Sequence, residues 1–138
     1  MLEDELLVDE TTAGGSVSAE AIWQRLEAVD QLGIRAATVT FIVPILWTVI
    51  SHTLRALMVA GQEDVDGLSD YGLINVARTM GYLYSEEQHD LKGFLVHRNN
   101  VLHGLPFEAT EADCRAMRDM ALSFWSRWEE ANALGKVA

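Results

Sequence analysis

The sequence predicts an all-α fold, an antiparallel bundle of four to five helices. Apolar residues recur at intervals of three and four along several stretches, which is the period of a helix with one buried face. Residues that cap or end helices separate these stretches, and no run of β-branched residues alternates with polar ones as in a strand. At 138 residues, we expect one helical domain over residues 16–138 after an acidic flexible tail at residues 1–15.

The first two helices are predicted from their caps and breakers. Ser16 or Ser18 can cap a first helix that runs to about Leu32, where Gly33 ends it. Its predicted buried face consists of Ile22, Leu26, Val29 and Leu32. The second helix covers roughly residues 37–60, and because Pro44 removes a backbone donor, we expect a bend or a restart there.

The second helix contains the one stretch that resembles a membrane span. Residues 36–53 include no Lys, Arg, Asp or Glu, but 18 residues are at the short end of what crosses a bilayer. After Pro44 the pattern becomes amphipathic, with a polar stripe of Thr48, Ser51, His52 and Arg55. This stripe favours a buried helix in a cytoplasmic protein with no membrane partner. We expect the stripe to face solvent; the alternative is that it faces a cleft of the bundle, where Arg55 would be a weak candidate for binding substrate phosphate.

Three further helices follow from capping patterns. Ser69 caps a third helix from Asp70 to about Met80. The sequence at residues 85–88 fits a capping box opened by Ser85, and Gly104 followed by Pro106 ends that fourth helix. Thr110 with Asp113 begins the fifth. The predicted apolar stripe of the fifth helix consists of Met117, Met120, Ala121, Phe124, Trp128 and Ala131.

The charge balance restricts the function classes. A formal net charge of −11 argues against a broad nucleic-acid-coating surface, which needs clustered Lys and Arg. Five of the acids lie in residues 1–15, and the rest of the chain carries 16 acids against 10 bases. The tail is either a solvated terminus or a segment that shields a basic site. A single cysteine, Cys114, excludes an internal disulfide framework.

Residues 97–104, His-Arg-Asn-Asn-Val-Leu-His-Gly, contain the most informative polar pattern. Arg98 is always charged and can clamp phosphate oxygens, and His103 carries an imidazole, which can both accept and donate a proton. The imidazole can accept the proton of a ribose 2′-hydroxyl or donate one to the leaving oxygen, without a metal. On one continuous helix the two side chains point about 140° apart. We therefore expect the helix to end between them.

The run Arg98-Asn99-x-x-x-His103 resembles the signature of HEPN domains, which are small helical ribonucleases and nucleotide-associated modules of prokaryotic toxin–antitoxin and defence systems. The resemblance covers this motif and the helical layout. It implies catalytic roles for Arg98 and His103, with Asn99 assisting. It also implies a homodimer with a composite site and metal-independent cleavage of an RNA substrate through its 2′-hydroxyl, with no cofactor.

One position departs from part of that family. Some members carry, two positions after the histidine, a tyrosine that a partner nucleotidyltransferase modifies, and this chain has Leu105 there. Neutralisation by a separate antitoxin or other partner, or by the acidic tail, stays open. His97 and Asn100 are weaker candidates for substrate binding beside the motif.

Other readings of these residues remain. Arg98 can form an ion pair with an acid of its own or another helix, and His103 can bond a free carbonyl at a helix end. The chain would then be a non-catalytic dimerisation or binding module for a nucleotide or protein, or an antitoxin-like binder that masks a basic partner. No metal site is predicted, since a carboxylate-bridged di-iron bundle needs two Glu-x-x-His steps and only Glu86-x-x-His89 is present.

Overall fold

The computed structural model describes residues 18–106 and 109–137, with side chains to residue 132. The helices are α1 (Ala19–Leu32), α2 (Val39–Ala60), α3 (Asp70–Thr79), α4 (Ser85–Leu102) and α5 (Glu111–Val137). The described part of the chain contains no strand. The predicted all-α bundle is therefore confirmed. The acidic segment 1–15 and the candidate cap Ser16 lie outside the described residues.

Helix α1 begins and ends as its sequence predicts. The Ser18 hydroxyl accepts a hydrogen bond from the Ala21 N–H at 3.1 Å, which satisfies one of the free donors of the first turn. Gly33 follows the helix with a φ of 77°, a conformation that suits glycine. Ile22, Leu26 and Val29 are buried, but Leu32, the last residue of the helix, is 43% exposed. The prediction of a buried Leu32 is wrong.

Helix α2 starts two residues later than predicted and is not restarted at Pro44. The Thr38 hydroxyl donates to the Gly33 carbonyl at 2.6 Å and accepts from the Arg35 N–H at 3.0 Å, so the residues before Val39 form a turn. The helix then continues without a break from Val39 to Ala60. Pro44 lies early in it and removes only one intrahelical hydrogen bond.

The core is organised around α2. Among the described side chains this helix buries more than any other, and it packs on α1, α4 and most extensively α5. Its length and composition would suit a membrane span, but about two-thirds of that apolar window is buried inside the protein. Packing within the bundle therefore explains why this stretch is so apolar.

Helix α3 is held at its start by the predicted cap. The Ser69 hydroxyl accepts from the Gly72 N–H at 3.0 Å, and Leu73, Ile74 and Ala77 are buried. The cap places Asp70 in the first turn, facing α2 and α4. Val65, in the loop before α3, is also buried, so this loop packs against the bundle.

Helix α4 has a different N-cap from the one predicted. Tyr84, not Ser85, is the N-cap residue, and its N–H donates to Glu87 Oε1 at 2.9 Å. Glu87 can do this because it lies three residues after the cap, whereas Gln88 donates through its side chain to Asn75 Oδ1 at 3.1 Å. The capping box over residues 85–88 is therefore wrong by one position.

The C-terminus of α4 ends in a Schellman motif. The Gly104 N–H donates to the Val101 carbonyl at 3.2 Å, and the Leu105 N–H donates to the Asn100 carbonyl at 2.9 Å. Gly104 has a φ of 65°, so the predicted glycine stop is confirmed. His103 is the C-cap residue.

Helix α5 opens with the predicted pair. The Thr110 N–H donates to Asp113 Oδ2 at 2.8 Å, and the Asp113 N–H donates back to Thr110 Oγ1 at 3.2 Å. Of the predicted stripe, Met117, Ala121 and Phe124 are fully buried. Met120, Trp128 and Ala131 are only partly buried.

Candidate functional site

Arg98 is held on α4 by the residue that follows it. Its Nη1 donates to Asn99 Oδ1 at 3.1 Å, and the side chain is partly exposed. The same Nη1 lies 4.0 Å from Asp70 Oδ2. Within residues 18–106 and 109–137, both polar contacts of Arg98 thus use one nitrogen. In the described part of the chain its Nε and Nη2 make no hydrogen bond or ion pair, and a guanidinium with two such donors can bind an anion bidentately.

Asp70, on α3, gathers donors from two other helices. Its Oδ2 accepts from Trp47 Nε1 at 3.1 Å and its Oδ1 from Ser51 Oγ at 3.2 Å, both on α2. Arg55 Nη2 lies 3.7 Å from Oδ1, while Arg98 approaches Oδ2 from α4. We call these residues, Trp47, Ser51, Arg55, Asp70 and Arg98, the Asp70 cluster. Each carboxylate oxygen thus has one neutral donor and one nearby cation, so the cluster carries a net positive charge.

Arg55 is tied to the loop before α3, and it does not face solvent as expected. Its Nη1 donates to the Val65 carbonyl at 3.2 Å and its Nη2 to the Leu68 carbonyl at 2.8 Å. Ser51 is buried as well. The expectation of a solvent-facing polar stripe is therefore wrong for these two residues, because the stripe packs under α3 and its loop. The donors of Arg55 that could bind phosphate are already used by backbone carbonyls.

His103 lies at the exposed end of α4. Its N–H donates to the Asn99 carbonyl at 3.0 Å, so helical hydrogen bonding continues up to His103. Helix α4 ends at Leu102, between Arg98 and His103 as expected, but this hydrogen bond keeps the His103 backbone in line with the last turn. At about 100° per residue, five steps leave the two side chains about 140° apart around the axis. One chain therefore presents Arg98 toward Asp70 and His103 toward a different side of the helix end.

The neighbouring candidates have separate surroundings. His97 Nε2 lies 3.7 Å from Asp113 Oδ2, which links α4 to the first turn of α5. Its Nδ1 is buried with no hydrogen-bond partner in the described part of the chain. The carbonyl of Asn100 is used by the Schellman motif. His97 is thus directed toward α5, whereas Arg98 is directed toward α3.

His52 belongs to the same polar side of α2 and is mostly buried. Burial, together with the positive charges of Arg25 and Arg55, lowers the pKa of His52 to about 4, although the charge of Asp70 acts in the opposite direction. The ring is therefore neutral at physiological pH. It adds no charge to the Asp70 cluster.

The remaining candidate groups do not form a second reactive site. Burial raises the pKa of the Cys114 thiol to about 11, and the residue is fully buried, so it lacks thiolate character. Among the described residues, no three His, Cys, Asp or Glu side chains are grouped so as to hold a metal ion.

Sequence reasoning missed Asp70 and Trp47 as site residues. Asp70 was placed correctly at the start of the third helix, but its partners are 15 to 28 positions away in sequence. Trp47 lay in the middle of an apolar run, where its indole N–H gave no signal. The one clue was Ser51 and Arg55, which follow Trp47 at intervals of four and place three polar groups along one strip of α2.

Comparison with known proteins yields no relative: no family model, no curated protein and no solved structure matches the chain.

Proposed function

We propose that this protein is a cytoplasmic, metal-independent endoribonuclease of the HEPN type, acting as a homodimeric toxin or defence effector. The observation that carries the proposal is the restrained Arg98. Its guanidinium is bonded to Asn99 at 3.1 Å within the Arg-Asn-x-x-x-His run, while His103 is exposed at the end of the same helix. An oriented cation for phosphate and an accessible imidazole are the two groups that this chemistry requires.

The reaction needs only groups of the chain and the RNA. An imidazole accepts the proton of a 2′-hydroxyl, and the oxygen attacks the adjacent phosphorus. The bond to the 5′-oxygen breaks, that oxygen leaves with a proton donated by an imidazolium, and a 2′,3′-cyclic phosphate remains. Arg98 would bind the non-bridging phosphate oxygens and stabilise the charge that develops on them.

The arrangement of α4 supports a site shared between two copies. Because His103 and Arg98 leave the helix in different directions, one copy does not place both groups on one phosphate. Two copies related by a two-fold axis can place the Arg98 of one near the His103 of the other. In such a site the one His103 imidazole that accepts the 2′-hydroxyl proton becomes the imidazolium that donates it to the leaving oxygen.

The first experiment measures RNA cleavage in the presence of EDTA. The wild-type protein is expected to cleave, and Arg98→Ala and His103→Ala are each expected to lose activity by about 10²–10⁴-fold, as for removal of a charge stabiliser or a general acid–base group. His89→Ala is the matched control, since His89 is an exposed histidine near the other end of α4. Equal cleavage by wild type and His103→Ala would refute the mechanism.

A mixture of the two inactive variants tests the shared site. When Arg98→Ala and His103→Ala copies exchange subunits, half of the sites in each mixed dimer regain both groups. Activity is expected to recover to about one quarter of wild type, because about half of the dimers are mixed. No recovery, despite proven subunit exchange, would mean that each site lies within one chain.

A non-catalytic binding module is the second candidate. The observation in its favour is that Arg98 already has a carboxylate 4.0 Å away within its own chain. Such a module would bind a nucleotide or a protein partner, including an antitoxin, without RNA turnover. A measurable complex together with no cleavage in the first experiment would support it.

A further inference from the structure

Asp70 is the only acid within 4.0 Å of Arg98 in the described part of the chain. Its carboxylate has a fixed position, because Trp47 and Ser51 donate to its two oxygens from successive turns of α2. Trp47 is only 3% exposed and Ser51 9%, so both donors are themselves held by the packed core. The first turn of α3 adds its free N–H groups, which favour a negative charge there.

The two arginines of the Asp70 cluster are held in different ways. Arg55 is fixed by two backbone carbonyls and does not depend on Asp70 for its position. Arg98 has one hydrogen bond, to its neighbour Asn99, and is 4.0 Å from Asp70, beyond hydrogen-bonding distance. A long, flexible side chain with a single hydrogen bond depends on the nearby charge for its orientation.

We propose that Asp70 is a positioning residue that restrains Arg98 and at the same time lowers its affinity for phosphate. The carboxylate attracts Nη1 and leaves the edge of the guanidinium that carries Nε and Nη2 available to an anion. It also repels that anion, since a phosphate oxygen bound to Arg98 comes close to a second negative charge. The catalytic meaning of this inference rests on the proposed ribonuclease function, but the restraint on Arg98 can be measured without it.

The decisive variant is Asp70→Asn. Asparagine keeps the shape of the side chain and one carbonyl acceptor for α2, but it removes the charge. With a less restrained Arg98, kcat for RNA cleavage is expected to fall about tenfold, since small misplacements of a binding group are costly. KM is expected to fall about fivefold, which corresponds to one repulsive charge removed at about 4 Å in a solvated site. A role in folding alone would lower the active fraction and leave KM unchanged.

Asp66→Asn is the matched control. It removes the same charge from an exposed residue of the loop before α3, and kcat and KM are both expected to stay within about twofold of wild type, as for exposed, screened charges. If Asp66→Asn lowers KM as much as Asp70→Asn does, the effect comes from net charge and the proposal is wrong.

A second measurement does not require catalysis. The Nε–Hε signal of Arg98 in the ¹⁵N NMR spectrum reports whether the guanidinium is restrained, and inorganic phosphate serves as the anionic probe. In Asp70→Asn this signal is expected to broaden or shift toward that of a freely rotating arginine, with tighter phosphate binding. If wild type cleaves no RNA, the proposed function fails, while this signal still decides the role of Asp70.

Ser51→Ala provides a variant that keeps the charge. It removes one of the two donors that fix the carboxylate, so a smaller fall in kcat and a partial change of the Arg98 signal are expected, with KM unchanged. An Arg98 signal identical to wild type in both Ser51→Ala and Asp70→Asn would overturn the proposal. If Asp70→Asn does not fold, an Arg98 signal in Ser51→Ala that is identical to that of wild type would by itself overturn the proposal.

Discussion

Helix α2 takes part in two contacts of opposite character. Against α5 it forms the most extensive helix–helix contact of the bundle, with fully buried apolar side chains on both helices. Against α3 and α4 it forms the Asp70 cluster, where Trp47, Ser51 and Arg55 meet a carboxylate. The first contact depends on the volume and the apolar area that it buries, whereas the second depends on the direction of its hydrogen bonds and on charge. Stability is therefore expected to depend on the first contact, and the orientation of Arg98 on the second.

The largest effect on stability is expected in the apolar contact. Phe124 is 0% exposed, and Phe124→Ala is expected to lower the free energy of unfolding by about 3–5 kcal/mol, from lost burial and the cavity left behind. Urea unfolding followed by circular dichroism measures this. Phe41→Ala is the control, since Phe41 is 67% exposed and its loss should cost little. Similar costs for both phenylalanines would contradict the assigned core.

A smaller and pH-dependent effect is expected on the polar side of α2. The folded pKa of His52, about 4, is below its ordinary value of 6.5. Between these two pH values the unfolded chain binds a proton that the folded protein does not, so acid favours unfolding. The loss of unfolding free energy is complete below about pH 4 and amounts to at most about 3 kcal/mol, reduced by the partial exposure of the ring.

The comparison of wild type with His52→Gln at pH 7 and pH 5 isolates this effect. Wild type is expected to lose more stability over that range than the variant, because glutamine does not titrate. His89→Gln, at an exposed histidine, should behave like wild type. If wild type and His52→Gln lose stability equally, His52 is not kept neutral by its surroundings.

The smallest effect is expected from an ion pair at the margin of the bundle. Arg118 on α5 donates to both oxygens of Asp30 on α1, at 2.7 and 3.0 Å. Both side chains are substantially exposed, so a double-mutant cycle with Arg118→Gln and Asp30→Asn should give a coupling free energy of about 0.5–1 kcal/mol. The coupling should decrease in high salt. A larger coupling free energy that does not decrease in high salt would contradict this expectation.

The apolar contact between α2 and α5 could be predicted from the sequence, together with most helix ends. Periodicity identified Phe124 and its neighbours, and local patterns identified Ser18, Ser69 and Gly104, because these signals lie within a few residues of each other. The N-terminus of α4 was missed since Tyr84 is not a usual capping residue and the acid that bonds its N–H is Glu87.

The Asp70 cluster could not be predicted, because its residues come together only in the folded chain. The motif drew attention to Arg98 and His103, but nothing near either residue in sequence identifies Asp70. Arg55 illustrates the same limit: its residue type suggested phosphate, while its position beside the loop gives its donors to Val65 and Leu68. A side chain's type predicts the chemistry it can perform, and its neighbours decide which of those options remains.

The reliance of α2 on α5 also has a consequence for synthesis. A ribosome completes α2 about 50 residues before it begins α5, an interval of several seconds at about 5–20 residues per second. Throughout that interval the most apolar of the described helices lacks its main packing surface, while its length and composition would suit a membrane segment. The nascent chain therefore passes through a stage in which the apolar face of α2 lacks its main partner, and the emergence of α5 ends that stage.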